Sequence, residues 1–239
     1  LNCVFQNSTF TPEEESSRNT DFSALALAVN GGSPVFRNVT FADQAFEIAN
    51  VGGTGAYITL ASDSVTFIDS HFDRLKTVVS GDATQRHGNV IYQDGGSALF
   101  DNCSFDENTL SGLSSTQNNL KGNVFYLTGN GAAYFNNCSI DSNVYSVSSA
   151  TGNGGVFYID DGLVSADSTT FNHNRMLASD AGANGGIFYL NSGSVTLTDS
   201  EIKYFNLNED ELVAGGLVYG PDDYTLTWNN VIADSNYTS

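Results

Sequence analysis

Lysine and arginine are scarce. Eight of them face 27 aspartates and glutamates, so the 239-residue chain carries a formal charge of −19 although only 15% of its residues are charged. A surface of that sign repels nucleic acid and anionic lipid and leaves cations, basic proteins and neutral glycans as partners. Long apolar runs are missing too: none approaches the roughly 18 residues a membrane span needs. No stretch shows sustained helical periodicity with caps, which argues against helix-pair repeats. No leucine pattern marks a leucine-rich repeat. The three histidines, His71, His87 and His173, have neither metal-ligand nor triad spacing. A lyase needs clustered carboxylates with a nearby base, and a glycosidase needs paired acids across a cleft. No Lys or Arg recurs beside the adjacent acids Asp160 and Asp161 or Asp222 and Asp223. No enzymatic activity and no cofactor are therefore expected. The acid clusters Glu13 to Glu15 and Asn208 to Glu211 offer oxygens for weak Ca²⁺ binding, with simple loop solvation as the alternative. Neither an initiating Met nor a signal sequence opens the chain, so a processed or partial product is expected.

What is present is a phrase written repeatedly. "GNVIYQDGG" at Gly88 returns as "GNVFYLTGN" at Gly122, "GGVFYIDDG" at Gly154, "GGIFYLNSG" at Gly185 and "GGLVYGPDD" at Gly215. Its tyrosines, Tyr92, Tyr126, Tyr158, Tyr189 and Tyr219, are separated by 34, 32, 31 and 30 residues. Self-similarity at such a period marks an array whose units bury their apolar faces only by stacking. Each unit holds short runs rich in Val, Ile, Phe, Tyr and Thr broken by Gly-Asn, Asp-Gly or Gly-Gly, the signals of strands and turns. Propeller blades run longer, at about 40–45 residues. The remaining solution is an all-β solenoid, a parallel β-helix of about seven coils with 30–35 residues and three strands per coil, filling residues 1–239 as a single domain. Parity places Phe100, Cys103 and Phe105 inside one coil, Phe135, Cys138 and Ile140 inside the next, and Val195, Leu197, Ser200 and Ile202 inside a third.

The "GGVF", "GGIF" and "GGLV" segments, alternating with "FDEN" at Phe105 and "FNHN" at Phe171 and with the looser "IDSN" at Ile140 and "ADSN" at Ala233, resemble the polymorphic outer-membrane-protein repeat. That resemblance covers most of the chain. It implies a right-handed β-helix of the kind found in large secreted surface proteins. Bulky Val/Ile-Phe-Tyr stands where that repeat has Ala-Ile, and no β-barrel translocator is evident, so an outer-membrane anchor is not implied.

Asn108, Asn143, Asn174 and Asn236 close the Phe-x-x-Asn elements and are expected to form amide ladders that satisfy backbone groups at a corner. Asn7, Asn38, Asn102, Asn137 and Asn236 begin N-x-[ST] triplets and are candidates for N-glycosylation. Cys103 and Cys138 share one position in adjacent coils, where either a disulfide or two buried thiols fits the spacing. Cys3 takes that position in the first coil and reaches neither. The tyrosine column admits two parities: either the phenylalanines point in and Tyr92, Tyr126, Tyr158, Tyr189 and Tyr219 form an exposed stripe beside Val124, Val156 and Ile187, or the reverse. Both leave an apolar contact face. Polar inserts after each Phe-x-x-Asn corner should project from one edge, as a binding edge or as drifting loops.

These features lead to the expectation of a secreted structural glycoprotein, a rod that self-associates head-to-tail or laterally into a surface filament, coat or appendage. The chain starts in mid-coil and stops just after a corner, so its ends are expected to be covered by more polypeptide or another subunit. The alternative is an adhesin-like module that binds glycans, polysaccharide or surface proteins. A polysaccharide-degrading enzyme stands third. No membrane insertion is expected.

Overall fold

The computed structural model describes residues 3–6, 9–10, 24–49, 56–61, 63–80, 85–112, 119–148, 151–179, 183–207, 213–214, 216–220, 224–234 and 236–238. Among them every assigned element is a strand, and every strand pair is parallel. One coil shows how the repeated phrase is used. Gly122 turns the chain at φ +68°, and Phe125–Thr128 then forms the first face. After a turn at Gly129 and Asn130, Ala132–Asn136 forms the second face. A seven-residue corner leads to Val144–Ser148 on the third face. The three-residue strand Thr151–Asn153 forms a fourth face before the next glycine. The glycine is dictated by space: a Cβ at Gly122 would stand 2.3 Å from the Phe125 carbonyl oxygen, and Gly88, Gly154 and Gly185 repeat that contact at 2.3–2.4 Å.

Equivalent strands pair in register, Tyr92 with Tyr126, then Tyr158, Tyr189 and Tyr219. The protein is therefore an all-β parallel β-solenoid. Two details differ from the sequence reading. Each full coil has four strands, because Gln85–His87, Asn119–Lys121, Thr151–Asn153, Ala183–Asn184 and Val213–Ala214 build a five-stranded fourth sheet. About five turns are complete on all four faces rather than the expected seven. The first and second faces run to seven strands and the third-face sheet to nine, and their N-terminal rungs have no fourth-face partner among the described residues.

The core is a set of aromatic stacks running along the rod. Phe36, Phe67, Phe100 and Phe135 lie one above another on the second face at centroid spacings of 4.8, 5.4 and 4.9 Å. Phe125, Phe157 and Phe188 do the same on the first face at 5.8 and 5.2 Å. The columns meet edge to face, as Phe100 does with Phe125 at 5.9 Å. Each ring buried is worth roughly 1.5–3 kcal/mol, and each such ring pair about 0.5–1.5 more. Where Ala166 takes the next place in the second-face column, Phe157 meets Phe171 edge to face at 6.1 Å. The inward parity read for residues 100–105, 135–140 and 195–202 holds: all ten side chains are at most 3% exposed.

Candidate functional site

The densest polar construction is the corner between the second and third faces, residues 101–108 in one coil. Asp101, Ser104 and Asp106 face outward and Cys103, Phe105 and Asn108 inward. Asn102 and Glu107 bend the chain at φ +54° and +58°. The first bend recurs at Asn38, Asp69, Asn137, Ser168, Asp199 and Asn230, and the second at Asp43, Arg74, Ser142, His173 and Tyr204. Asn and Asp tolerate this left-handed region because their short side chains bond locally, whereas Arg, Glu and Tyr are strained there. Stacking compensates in part. Arg74 pairs with Asp43 one coil away, at 3.0 Å through Nη2, and His173 lies on Tyr204 with ring centroids 4.7 Å apart.

Inside the corner runs the asparagine ladder. The Asn108 side chain accepts from Leu75 N–H at 2.9 Å and donates to the Phe72 carbonyl at 2.8 Å. Asn143 accepts from Asn108 N–H at 2.9 Å and donates to the Phe105 carbonyl at 2.8 Å. Asn174 accepts from Asn143 N–H and donates to the Ile140 carbonyl. Asn236 accepts from Phe205 N–H and donates to the Ile202 carbonyl. Every amide thus closes the corner of the preceding coil. Asn108, Asn143 and Asn174 are at most 1% exposed, while Asn236 is half-buried, with its amide engaged in the ladder rather than turned to solvent. A second buried pair, Asn89 and Asn123, was hidden in the Gly-Asn turns. Asn123 Nδ2 donates to the carbonyls of Asn108 and Val144 at 3.1 Å each, tying the first face to the third.

Cys103 and Cys138 are buried free thiols. Each Sγ lies 3.3–3.5 Å from two backbone carbonyls. Their mutual hydrogen bond, with burial, pushes the Cys138 thiol far above its ordinary value. The Cys3 backbone pairs with Val39, and Ser70 separates that position from Cys103 in the column.

Outside the corner, carboxylates and hydroxyls interlock. Asp73 Oδ1 accepts from Ser104 Oγ at 2.8 Å and Asp106 N–H at 3.1 Å. Asp106 Oδ1 accepts from Ser139 Oγ at 2.8 Å and Asp141 N–H at 2.9 Å. Asp141 accepts from Thr170 Oγ1 and Asn172 N–H. Burial raises the Asp106 carboxyl above the usual range, and the charges of Asp73 and Asp141 add to it. His71 Nδ1 lies 2.9 Å from Ser104 Oγ and 4.0 Å from Asp73. This grouping is not a triad, because one ring nitrogen faces both partners, whereas a relay uses the two nitrogens separately. Asn172 stands in the Asp column and accepts Lys203 N–H just as the aspartates accept theirs. At that rung an acceptor oxygen suffices without a negative charge. Among the described residues no group of three or more His, Cys, Asp or Glu is arranged to hold a metal. Glu13 to Glu15, residues 208–211, Asp222, Asp223 and the sequon at Asn7 lie outside the described residues. Asp160 and Asp161 are turn residues, accepting from Asn191 Nδ2 and Asn130 N–H.

The tyrosines stack as one column, with centroids 4.7–5.3 Å apart, but neither the exposed tyrosine stripe of one parity nor the exposed phenylalanine stripe of the other forms. Tyr126 and Tyr158 are 4% exposed, and Val124, Val156 and Ile187 belong to the core together with the phenylalanines. The fourth face covers them. His87 stacks on Tyr126 at 4.5 Å, and Lys121 Nζ sits 4.7 Å over the Tyr158 ring. The inserts are therefore not simple loops. Their bases are the third- and fourth-face strands, held by buried Leu110, Leu120, Tyr145 and Val147, and Tyr145 Oη donates to the Leu120 carbonyl at 2.6 Å. Their tips, residues 81–84, 113–118, 149–150, 180–182 and 208–212, lie outside the described residues.

That cover has a pH signature. Burial lowers the His87 pKa to about 4 from its ordinary 6.5; the Lys121 charge adds to this and Asp160 opposes it. The unfolded chain takes up the proton first, so stability is full above about pH 6.5 and falls as pH drops toward 4. The loss is at most about 3 kcal/mol. Urea midpoints between pH 7 and 4 should fall less steeply in His87→Gln than in the wild type; parallel profiles would contradict the assignment.

No family model matches the chain, and no curated protein or solved structure matches it. The class is set by the coil itself: a parallel β-solenoid whose corners are closed by side-chain ladders.

Proposed function

We propose that this solenoid is a structural rod, a segment of a secreted glycoprotein that assembles into an extracellular filament, coat or appendage. The supporting observation is where the polar side chains go. The buried ladder asparagines and the outer carboxylates all bond between coils, so the chemistry available serves axial cohesion. A second feature agrees with it. The terminal strands of the second face, Val35–Arg37 and Tyr224–Asn229, present one unpaired edge each within the described residues. Val35 beside one edge is 55% exposed; near the other, Tyr224 and Trp228 are 42% and 37% exposed and Ile232 is 53% exposed. Such edges template further strands, either other coils of the same polypeptide or another copy. The resemblance to the repeats of secreted surface proteins supports an extracellular setting, and the five sequons agree with it. On this reading the protein has no catalytic role and no cofactor.

A second reading, a glycan-binding module, has one specific support. Tyr134 is 36% exposed on the outer second face, in a row with Leu99 and Ser165 and next to a row of Asp101, Asn136 and Asp167. An aromatic ring beside polar groups suits a sugar.

Electron microscopy of the native, glycosylated protein across concentration separates the two. Rods that lengthen along their axis or align laterally support the structural role. Isolated short rods at every concentration, with saturable polysaccharide binding abolished by Tyr134→Ala, would replace it with the second reading.

A further inference from the structure

Three of the five sequons start at one position of the coil. Asn38, Asn102 and Asn137 occupy the left-handed bend between the second and third faces, at φ 51°, 54° and 51°, and all three are exposed. Their backbone N–H groups bond successive coils, Asn38 to the Ile68 carbonyl, Asn102 to that of Asn136 and Asn137 to that of Asp167. The column therefore reads Asn38, Asp69, Asn102, Asn137, Ser168, with Asn102 and Asn137 on neighbouring rungs and Asp69 between Asn38 and Asn102. Neighbouring rungs stand about 4.8 Å apart. A branched N-glycan is wider than that spacing, and both side chains leave the same bend in the same direction.

We propose that Asn38 and one member of the Asn102 and Asn137 pair carry N-glycans, and that no folded molecule carries both members. This rests on the secretory reading above. The donor is a lipid pyrophosphate-linked oligosaccharide. Its anomeric carbon gains a bond to Asn Nδ2, the carbon–oxygen bond to pyrophosphate breaks, and Nδ2 gives up one of its two protons. The retained N–H matters at Asn102, whose Nδ2 donates to Asp69 Oδ1 at 2.6 Å: one hydrogen suffices for that bond. Transfer precedes folding, so both sites meet the donor. A chain modified at both cannot stack the Asn102 and Asn137 rungs without forcing two sugars into one rung spacing.

The test is glycopeptide mapping and intact mass of the full chain secreted from eukaryotic cells, with Asn102→Ser and Asn137→Ser variants. Serine is compatible with the bend, since Ser168 occupies it at φ 52°. The expected result is sugar on Asn38 and one sugar across the pair, with each variant moving it fully to the remaining site. Removing both sites should lower the mass by one glycan while secretion continues. Secreted protein doubly modified at Asn102 and Asn137 overturns the proposal, as does an unmodified pair. Sugar confined to Asn7 or Asn236 overturns it while leaving the secretory reading intact; no sugar anywhere overturns both.

Discussion

Asn143→Ala should cost the protein about 3–5 kcal/mol, more than most surface losses several times over. The amide lies 1% exposed between two coils. Removing it strands the Asn108 N–H and the Phe105 carbonyl, which it holds at 2.9 and 2.8 Å, and takes a donor from Asn174 Oδ1 at 3.0 Å. A buried polar group left without a partner costs about 1–3 kcal/mol. Asp106→Asn, two residues before the ladder residue Asn108 and in the outer column, is the matching control. It keeps the oxygen that accepts from Ser139 and Asp141 N–H and removes a charge crowded by Asp73 and Asp141. Urea unfolding followed by circular dichroism should show a large loss for the first and an unchanged or slightly raised midpoint for the second. Equal losses would mean that the inner ladder is not what closes the corner.

Gly122→Ala is expected to cost at least about 3 kcal/mol. A left-handed conformation costs an L-residue roughly 1–2 kcal/mol, and here the added methyl would also press on the Phe125 carbonyl oxygen at 2.3 Å and the Tyr158 nitrogen at 3.2 Å. Neither can retreat, because Phe125 is paired with Ile91 on one side and Phe157 on the other. Gly32→Ala isolates the conformational part. Its φ is +77° but nothing lies within 4 Å of the new methyl, so only the conformational cost remains. Thermal melts of the two variants should differ by several degrees, and similar melting points would show that the crowding at Gly122 relaxes.

The period was legible because the residues that fix it are the same or alike in most coils. Gly88, Gly122 and Gly154 are needed by one backbone turn, and Phe100, Cys103 and Phe105 alternate as inward positions must. The inner asparagines Asn108, Asn143 and Asn174 were legible for the same reason, standing at one offset from buried Phe105, Ile140 and Phe171. The fourth face was not, since Gln85–His87, Asn119–Lys121 and Thr151–Asn153 share no pattern and are too short to show one. The cover over the tyrosines escaped with it, because His87 and Lys121 fill one position with unlike chemistry. The outer ladder was obscured differently: Ser104 and Asp73 are 31 residues apart in sequence, and only stacking by one coil brings them together. The second bend is filled by Arg74, Glu107, Ser142, His173 and Tyr204, so backbone conformation is repeated there without any repeated residue.

The inner ladder also has a direction. Asn108 reaches back to Phe72 and Leu75, Asn143 to Phe105 and Asn108, and Asn236 to Ile202 and Phe205. A corner is complete only when the following coil has been laid upon it. For a chain delivered amino end first, each newly arrived coil locks its predecessor and is itself left open, so construction advances one way along the axis, as a zip closes.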